Sequence, residues 1–129
     1  MAKVKQLSAW IEHRPGALGQ LGDALAEKNV NIRAFMATAL DGRGFVRLVV
    51  DKPAAAKRIL QKHGWETTED EIVEVTVPDT PGALAAVADR LGEAGINMDY
   101  AYMGTAGGAR KVNLYVAVAD ARAALKALR

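Results

Sequence analysis

Apolar and polar positions along the chain change period several times, and each change marks an element. Val4 to Glu12 alternates imperfectly, with Leu7, Ala9 and Ile11 on one side and Trp10 on the other, which predicts a strand. His13-Arg14-Pro15-Gly16 breaks it. From about Gly16 to Lys28 the spacing becomes three and four, with Leu18, Leu21 and Leu25 as a buried helical stripe. Pro15 is placed at the first helical position, where a missing N–H costs nothing. Asn29 is the expected left-handed stop.

Val30 to Leu40 and Phe45 to Val50 read as strands, joined by a hairpin turn at Asp41-Gly42-Arg43-Gly44. The apolar run of the second predicts a central strand. Pro53 opens a second helix to about Lys62, with Ala56, Ile59 and Leu60 inward and Gly64 as its end. Trp65-Glu66-Thr67 is expected to form a short fourth strand, completing β-α-β-β-α-β.

The pattern then repeats. Pro15-Gly16-Ala17-Leu18 returns 66 residues later as Pro81-Gly82-Ala83-Leu84. Asp23, Leu25, Glu27 and Asn31 recur as Asp89, Leu91, Glu93 and Asn97. Without a gap, Val46, Leu48 and Val50 fall on Val112, Leu114 and Val116. A long repeat in one register means two copies of one module. Glu71 to Val77, Ala83 to Ala94, Ile96 to Met103 and Lys111 to Val118 are the expected second strand, helix, strand and strand. Gly95 stands in for Asn29, and Asp120 caps a last helix, Ala121 to Leu128.

The fold class is therefore α+β: two tandem βαββαβ sandwiches, residues 1–69 and 70–129, the second lacking its last strand. The bare edge so left is expected to be covered by the Thr67 to Asp70 linker or by a second protomer.

Composition narrows the function. At 129 residues with 50% apolar and 25% charged residues the chain is globular, and each half alone has a thin core. There is no cysteine, which excludes disulfides, thiolate metal sites and cysteine nucleophiles. The net charge is only +2 and Lys and Arg form no run, so charge does not argue for nucleic acid. No apolar run spans a membrane and the N-terminus has no signal core, so a cytoplasmic protein is expected. No carboxylate pair, nucleophile with a base, metal spacing or phosphate loop points to an enzyme, a metal or a cofactor.

Ile11-Glu12-His13-Arg14-Pro15-Gly16-Ala17-Leu18, followed by a helix and then Asn29-Val30-Asn31-Ile32, resembles the signature of the ACT domain, the small amino-acid-binding regulatory module. Val77-Pro78-Asp79-Thr80-Pro81-Gly82-Ala83-Leu84 with Gly95-Ile96-Asn97-Met98 is a second copy. With no catalytic domain attached, the chain is similar to stand-alone tandem ACT proteins. The resemblance implies a ferredoxin-like fold and a free amino acid bound where modules meet. The implied ligand-binding residues are His13, Arg14, Gly16, Ala17, Leu18 and Asn31 in the first copy. In the second they are Asp79, Thr80, Gly82, Ala83, Leu84 and Asn97. His13 and Asp79 stand where the regulatory domain of phosphoglycerate dehydrogenase carries an asparagine that contacts its ligand.

A helix N-terminus suits a carboxylate, and glycine at 16 and 82 lets a ligand approach the backbone. Arg14 offers no acceptor to cap its helix, so the N–H groups of Gly16, Ala17 and Leu18 are expected to be free. Asp79 or Thr80 is expected to cap the other helix, and Asp79 to repel a carboxylate. The first loop is thus expected to take the carboxylate, with Asp79, Asn97 or Asn31 taking the ammonium or side chain.

Other readings of these residues are blander. His13 and His63 serve as solvated residues, Tyr100 and Tyr102 as packing under a helix or at a dimer interface, and Met36, Met98 and Met103 as core or interface filler. Two further classes remain: a ligand-free regulatory subunit docked on a metabolic enzyme, and single-stranded RNA binding. The second starts from the likeness of Arg43-Gly44-Phe45-Val46-Arg47-Leu48 to a strand motif of RNA-recognition modules, and it lacks the second aromatic, which is Leu48 here. A homodimer is expected.

Overall fold

The computed structural model of the protein describes residues 1–129. Its elements are β1 (Ala2–Ile11), α1 (Ala17–Glu27), β2 (Ile32–Leu40), β3 (Arg43–Val50), α2 (Pro53–Lys62), β4 (Thr67–Pro78), α3 (Ala83–Glu93), β5 (Tyr100–Thr105), β6 (Lys111–Ala117) and α4 (Ala121–Leu128). The chain divides into two compact units, Lys5–Asp70 and Met1–Val4 together with Glu71–Arg129.

In the unit of residues 5–70, β3 pairs antiparallel with β1 on one side and β2 on the other, so the apolar third strand is central. Asp41 and Gly42, both at positive φ, make the two-residue turn between β2 and β3. Leu7, Ala9 and Ile11 of β1 and Val46, Leu48 and Val50 of β3 face Leu21, Leu25, Ala56 and Leu60 of the two helices. The Trp10 N–H donates to the Glu66 carbonyl at 3.0 Å, which ties the outer edge of β1.

In the other unit β6 is central, between β4 and β5. Val73, Val75, Leu114 and Val116 pack against Val87 and Leu91 of α3 and Ala124 and Leu128 of α4. Asp120 caps α4, its Oδ1 accepting from the Ala123 N–H at 3.1 Å. On the sheet's other face Tyr115 is fully buried. Its hydroxyl donates to Glu74 Oε2 at 2.8 Å and accepts from Asn113 Nδ2 at 3.3 Å, and its ring stacks on Tyr102. Asn113 is held in turn by the Thr76 hydroxyl and the Thr105 carbonyl.

Several expectations change. The fourth strand and the strand of the second module are one element, β4, because nothing between Thr67 and Val77 breaks an extended chain and Thr67, Thr68, Ile72, Val73, Val75 and Val77 favour it. Thr67–Asp70 falls in the unit of residues 5–70, while Met1–Val4 joins Glu71–Arg129, with Lys3 Nζ 3.6 Å from Glu71 Oε1. Neither helix starts on its proline. Gly16 and Gly82 take left-handed φ of 84° and 88°, and the helices begin at Ala17 and Ala83. That turn rotates Leu18 and Leu84 outward, to 41% and 54% exposure, so the buried face of α1 is Ala17, Leu21, Ala24 and Leu25.

The repeat also slips by two residues at β6. Ala9 pairs with Val46, whereas its counterpart Val75 pairs with Leu114 rather than Val112. The longer β5–β6 loop absorbs the difference. β5 starts at Tyr100 and not at Ile96, which leaves Asn97 outside the strand. Met98 and Met103 are exposed, the latter to 53%, and fill no core.

Candidate functional site

In the unit of residues 5–70, the end of β1, the start of α1, the β2–β3 turn and the α2–β4 connection converge on a cleft of about 530 Å³. This is within the ordinary range for a small-molecule site. The β1–α1 loop supplies Glu12, His13, Arg14 and Ala17. Arg14 is fixed from three sides: its Nε donates to Glu12 Oε2, its Nη2 to Gln20 Oε1 at 2.7 Å and its Nη1 to the Pro15 carbonyl at 3.4 Å. A long side chain so held loses little further freedom when it meets a ligand.

The opposite wall is aromatic and cationic. The Arg43 guanidinium lies over the Trp10 indole, and Phe45 packs on the same ring at 4.5 Å. At the end of α2, Gly64 turns at φ 80°, and the His63 imidazole stacks on Trp65 at 4.8 Å with 13° between the planes. The cleft thus carries two guanidinium groups against one carboxylate.

The matching loop of the other unit is different in kind. Asp79, Thr80, Gly82, Ala83 and Leu84 line a groove of about 400 Å³ with Met103, Val112 and Leu114. Its only charge is Asp79. A second cleft, of about 370 Å³, lies among Val75, Val77, Val87, Leu128 and Met1, with Arg90 its only charged side chain.

The sequence profile of the ACT domain pair matches residues 2–123. The chain belongs to the ACT domain family. ACT domains are regulatory, amino-acid-binding modules. A protein from Bacteroides thetaiotaomicron shares this fold with a TM-score of 0.87 and 25% identity, over 98% of this chain and 86% of that one. The ligand-free regulatory subunit of aspartate kinase from Thermus thermophilus superposes with a TM-score of 0.72 at 19% identity, over 99% and 95% of the two chains. The corresponding subunit from Thermus flavus gives 0.67 at 20% identity, over 98% and 93%. No curated protein matches the sequence.

Against this ACT pair, the residues expected at the site separate into groups. His13, Arg14 and Ala17 meet in the first cleft. Gly16 lies beside it, on a shallow groove along α1 with Gln20, Asp23 and His63, and Leu18 lines neither. Asn31 is elsewhere. Its N–H donates to Asp51 Oδ1 at 2.9 Å, and its carbonyl accepts from the Asp51 N–H. β1 and β2 run parallel on either side of β3, so the β1–α1 loop is level with the far end of β2 near Ala39. Asn31 is therefore about 25 Å from that loop at ~3.3 Å per residue. Asp79, Thr80, Gly82, Ala83 and Leu84 line one groove, while the exposed Asn97 does not reach it.

The expected free donors and caps are also altered. The Ala17 N–H donates to the Arg14 carbonyl and the Ala83 N–H to the Thr80 carbonyl, and no side chain caps α1 or α3. Arg14-Pro15-Gly16-Ala17 and Thr80-Pro81-Gly82-Ala83 are thus turns closed from first to fourth residue, with glycine at the left-handed third position. Trp10, Gln20, Arg43, His63 and Trp65 also line this cleft, and the sequence does not single them out for it, because they come from elements whose ends meet only in the fold. The one signal was composition: both of the chain's tryptophans line the cleft.

Proposed function

We propose that this ACT pair is a regulatory protein without catalytic activity of its own, and that it binds a free amino acid in the cleft of residues 5–70. The observation that carries this is the meeting of His13, Arg14 and Ala17, the loop positions implied for ACT ligands, in a cleft of about 530 Å³ with an excess of positive charge. An amino acid presents a carboxylate to Arg14 or Arg43 and an ammonium to Glu12. The second loop, apolar and carrying only Asp79, suits a carboxylate poorly.

The accompanying picture is a cytoplasmic homodimer of ferredoxin-like modules, with a last strand absent from the second, acting on a metabolic enzyme. No helix is long and apolar enough to cross a membrane. A ligand-free docking subunit is the second reading, supported by Leu84 and Met103, both more than half exposed on one groove. It also has a parallel in the aspartate kinase regulatory subunits that share the fold.

Thermal unfolding against each of the twenty amino acids decides between the readings. A ligand present at about 100 times its Kd stabilises the fold by roughly 2.7 kcal/mol. One hit, or a related few, supports the amino-acid reading. A flat panel removes it and favours docking.

A further inference from the structure

Resting on that reading, we infer that the cleft of residues 5–70 selects amino acids whose side chain carries a flat ring, and that each chain binds one. Three groups divide the work. Arg43 is exposed, and its Nη2 is 4.0 Å from Glu66 Oε2, an ion-pair distance beyond hydrogen-bond reach. Its planar fork of N–H donors is therefore open to a carboxylate, while its stacking on Trp10 holds the plane in place. Glu12, already oriented by Arg14, faces the same cleft and accepts from the ammonium.

The ring is received by His63. One imidazole face rests on Trp65 at 4.8 Å, and the residue is exposed and lines the cleft, so its ring is accessible to a flat ring bound there. A flat ring gains offset stacking there, and a branched aliphatic side chain does not. Trp65 in turn is half-buried against the core of its unit, and its backbone N–H donates to the Leu60 carbonyl at 3.1 Å.

The limit of one ligand per chain follows from replacement. The positions of Trp10, Arg14, Gln20 and Arg43 hold Thr76, Thr80, Ala86 and Lys111 in the other unit. The pinned guanidinium, its two partners' geometry and the indole under Arg43 are all lost there.

Both tryptophans line this cleft and none lies elsewhere, so tryptophan emission reports it alone. Phenylalanine and leucine are titrated into the full chain with emission excited beyond phenylalanine absorption, and phenylalanine is titrated by calorimetry. Phenylalanine is expected to change the emission at about a tenfold lower concentration than leucine, with a stoichiometry of one. His63→Ala, at an exposed position, is expected to erase the difference while keeping the weaker binding of both. Equal midpoints for phenylalanine and leucine in the native chain overturn ring selection and leave the amino-acid reading standing. Two sites per chain overturn the asymmetry. If no amino acid alters the emission or the melting temperature, the amino-acid reading itself falls.

Discussion

The guanidinium carbon of Arg43 lies 4.4 Å from the centroid of the Trp10 ring. The two residues come from the β2–β3 hairpin and from β1, and their contact builds one wall of the cleft in the unit of residues 5–70. Arg43→Ala is expected to leave folding within about 1 kcal/mol of the native chain, since an exposed cation–π pair is worth about that much. It is also expected to weaken any amino-acid ligand by roughly tenfold or more, through loss of a charged hydrogen-bond partner. Melting curves with and without ligand separate the two effects.

Gln20 acts through Arg14, which it holds at 2.7 Å. Gln20→Ala is expected to lower affinity by about threefold to tenfold, because Arg14 must then be ordered at the moment of binding. Gln20→Glu keeps an acceptor and is expected to restore most of it. Calorimetry on the two variants checks the ordering, and equal losses would show that only the size of the side chain matters.

The glycine that caps α1 and a glycine inside it are expected to respond in opposite directions. Gly16 has a φ of 84°, so Gly16→Ala places an L side chain in the left-handed region at a cost of about 1–2 kcal/mol, although no atom lies within 4 Å of the new Cβ. Gly19 lies inside α1 with equal space and no positive φ, so Gly19→Ala is expected to stabilise by about 0.5–1 kcal/mol. Urea unfolding midpoints measure both.

Tyr115→Phe takes one hydrogen-bond partner from Asn113, which is buried, and one from Glu74, which is half-buried. A loss of about 1–3 kcal/mol in unfolding free energy is expected. A loss near zero in chemical denaturation would show that other partners replace the hydroxyl.

Leu21 and Leu18 look alike in sequence and differ in the fold. Leu21→Ala is expected to destabilise by about 2–5 kcal/mol, because Leu21 is fully buried in the core. Leu18→Ala at 41% exposure is expected to change stability by less than about 1 kcal/mol. Paired unfolding curves test this directly.

The contrast between those leucines shows where periodicity stops being informative. Leu18, Leu21 and Leu25 fit a helical stripe equally well, but the left-handed turn at Gly16 sets the rotation of α1 and turns Leu18 out. No local pattern carries that angle. In the same way nothing local marks a boundary between the modules, because Thr67–Val77 holds no turn residue and β4 runs through it unbroken.

The residues alone established the repeat, the α+β order, the central strand β3 and the Asp41-Gly42 hairpin. Each of these is written in local spacing or in a second copy of itself. The slip of two residues at β6, the distance between Asn31 and the first loop, and the convergence of Trp10, Gln20, Arg43, His63 and Trp65 were decided only in three dimensions. They depend on antiparallel pairing, which sets distant ends of strands and helices side by side. A chain read in order keeps those ends tens of residues apart.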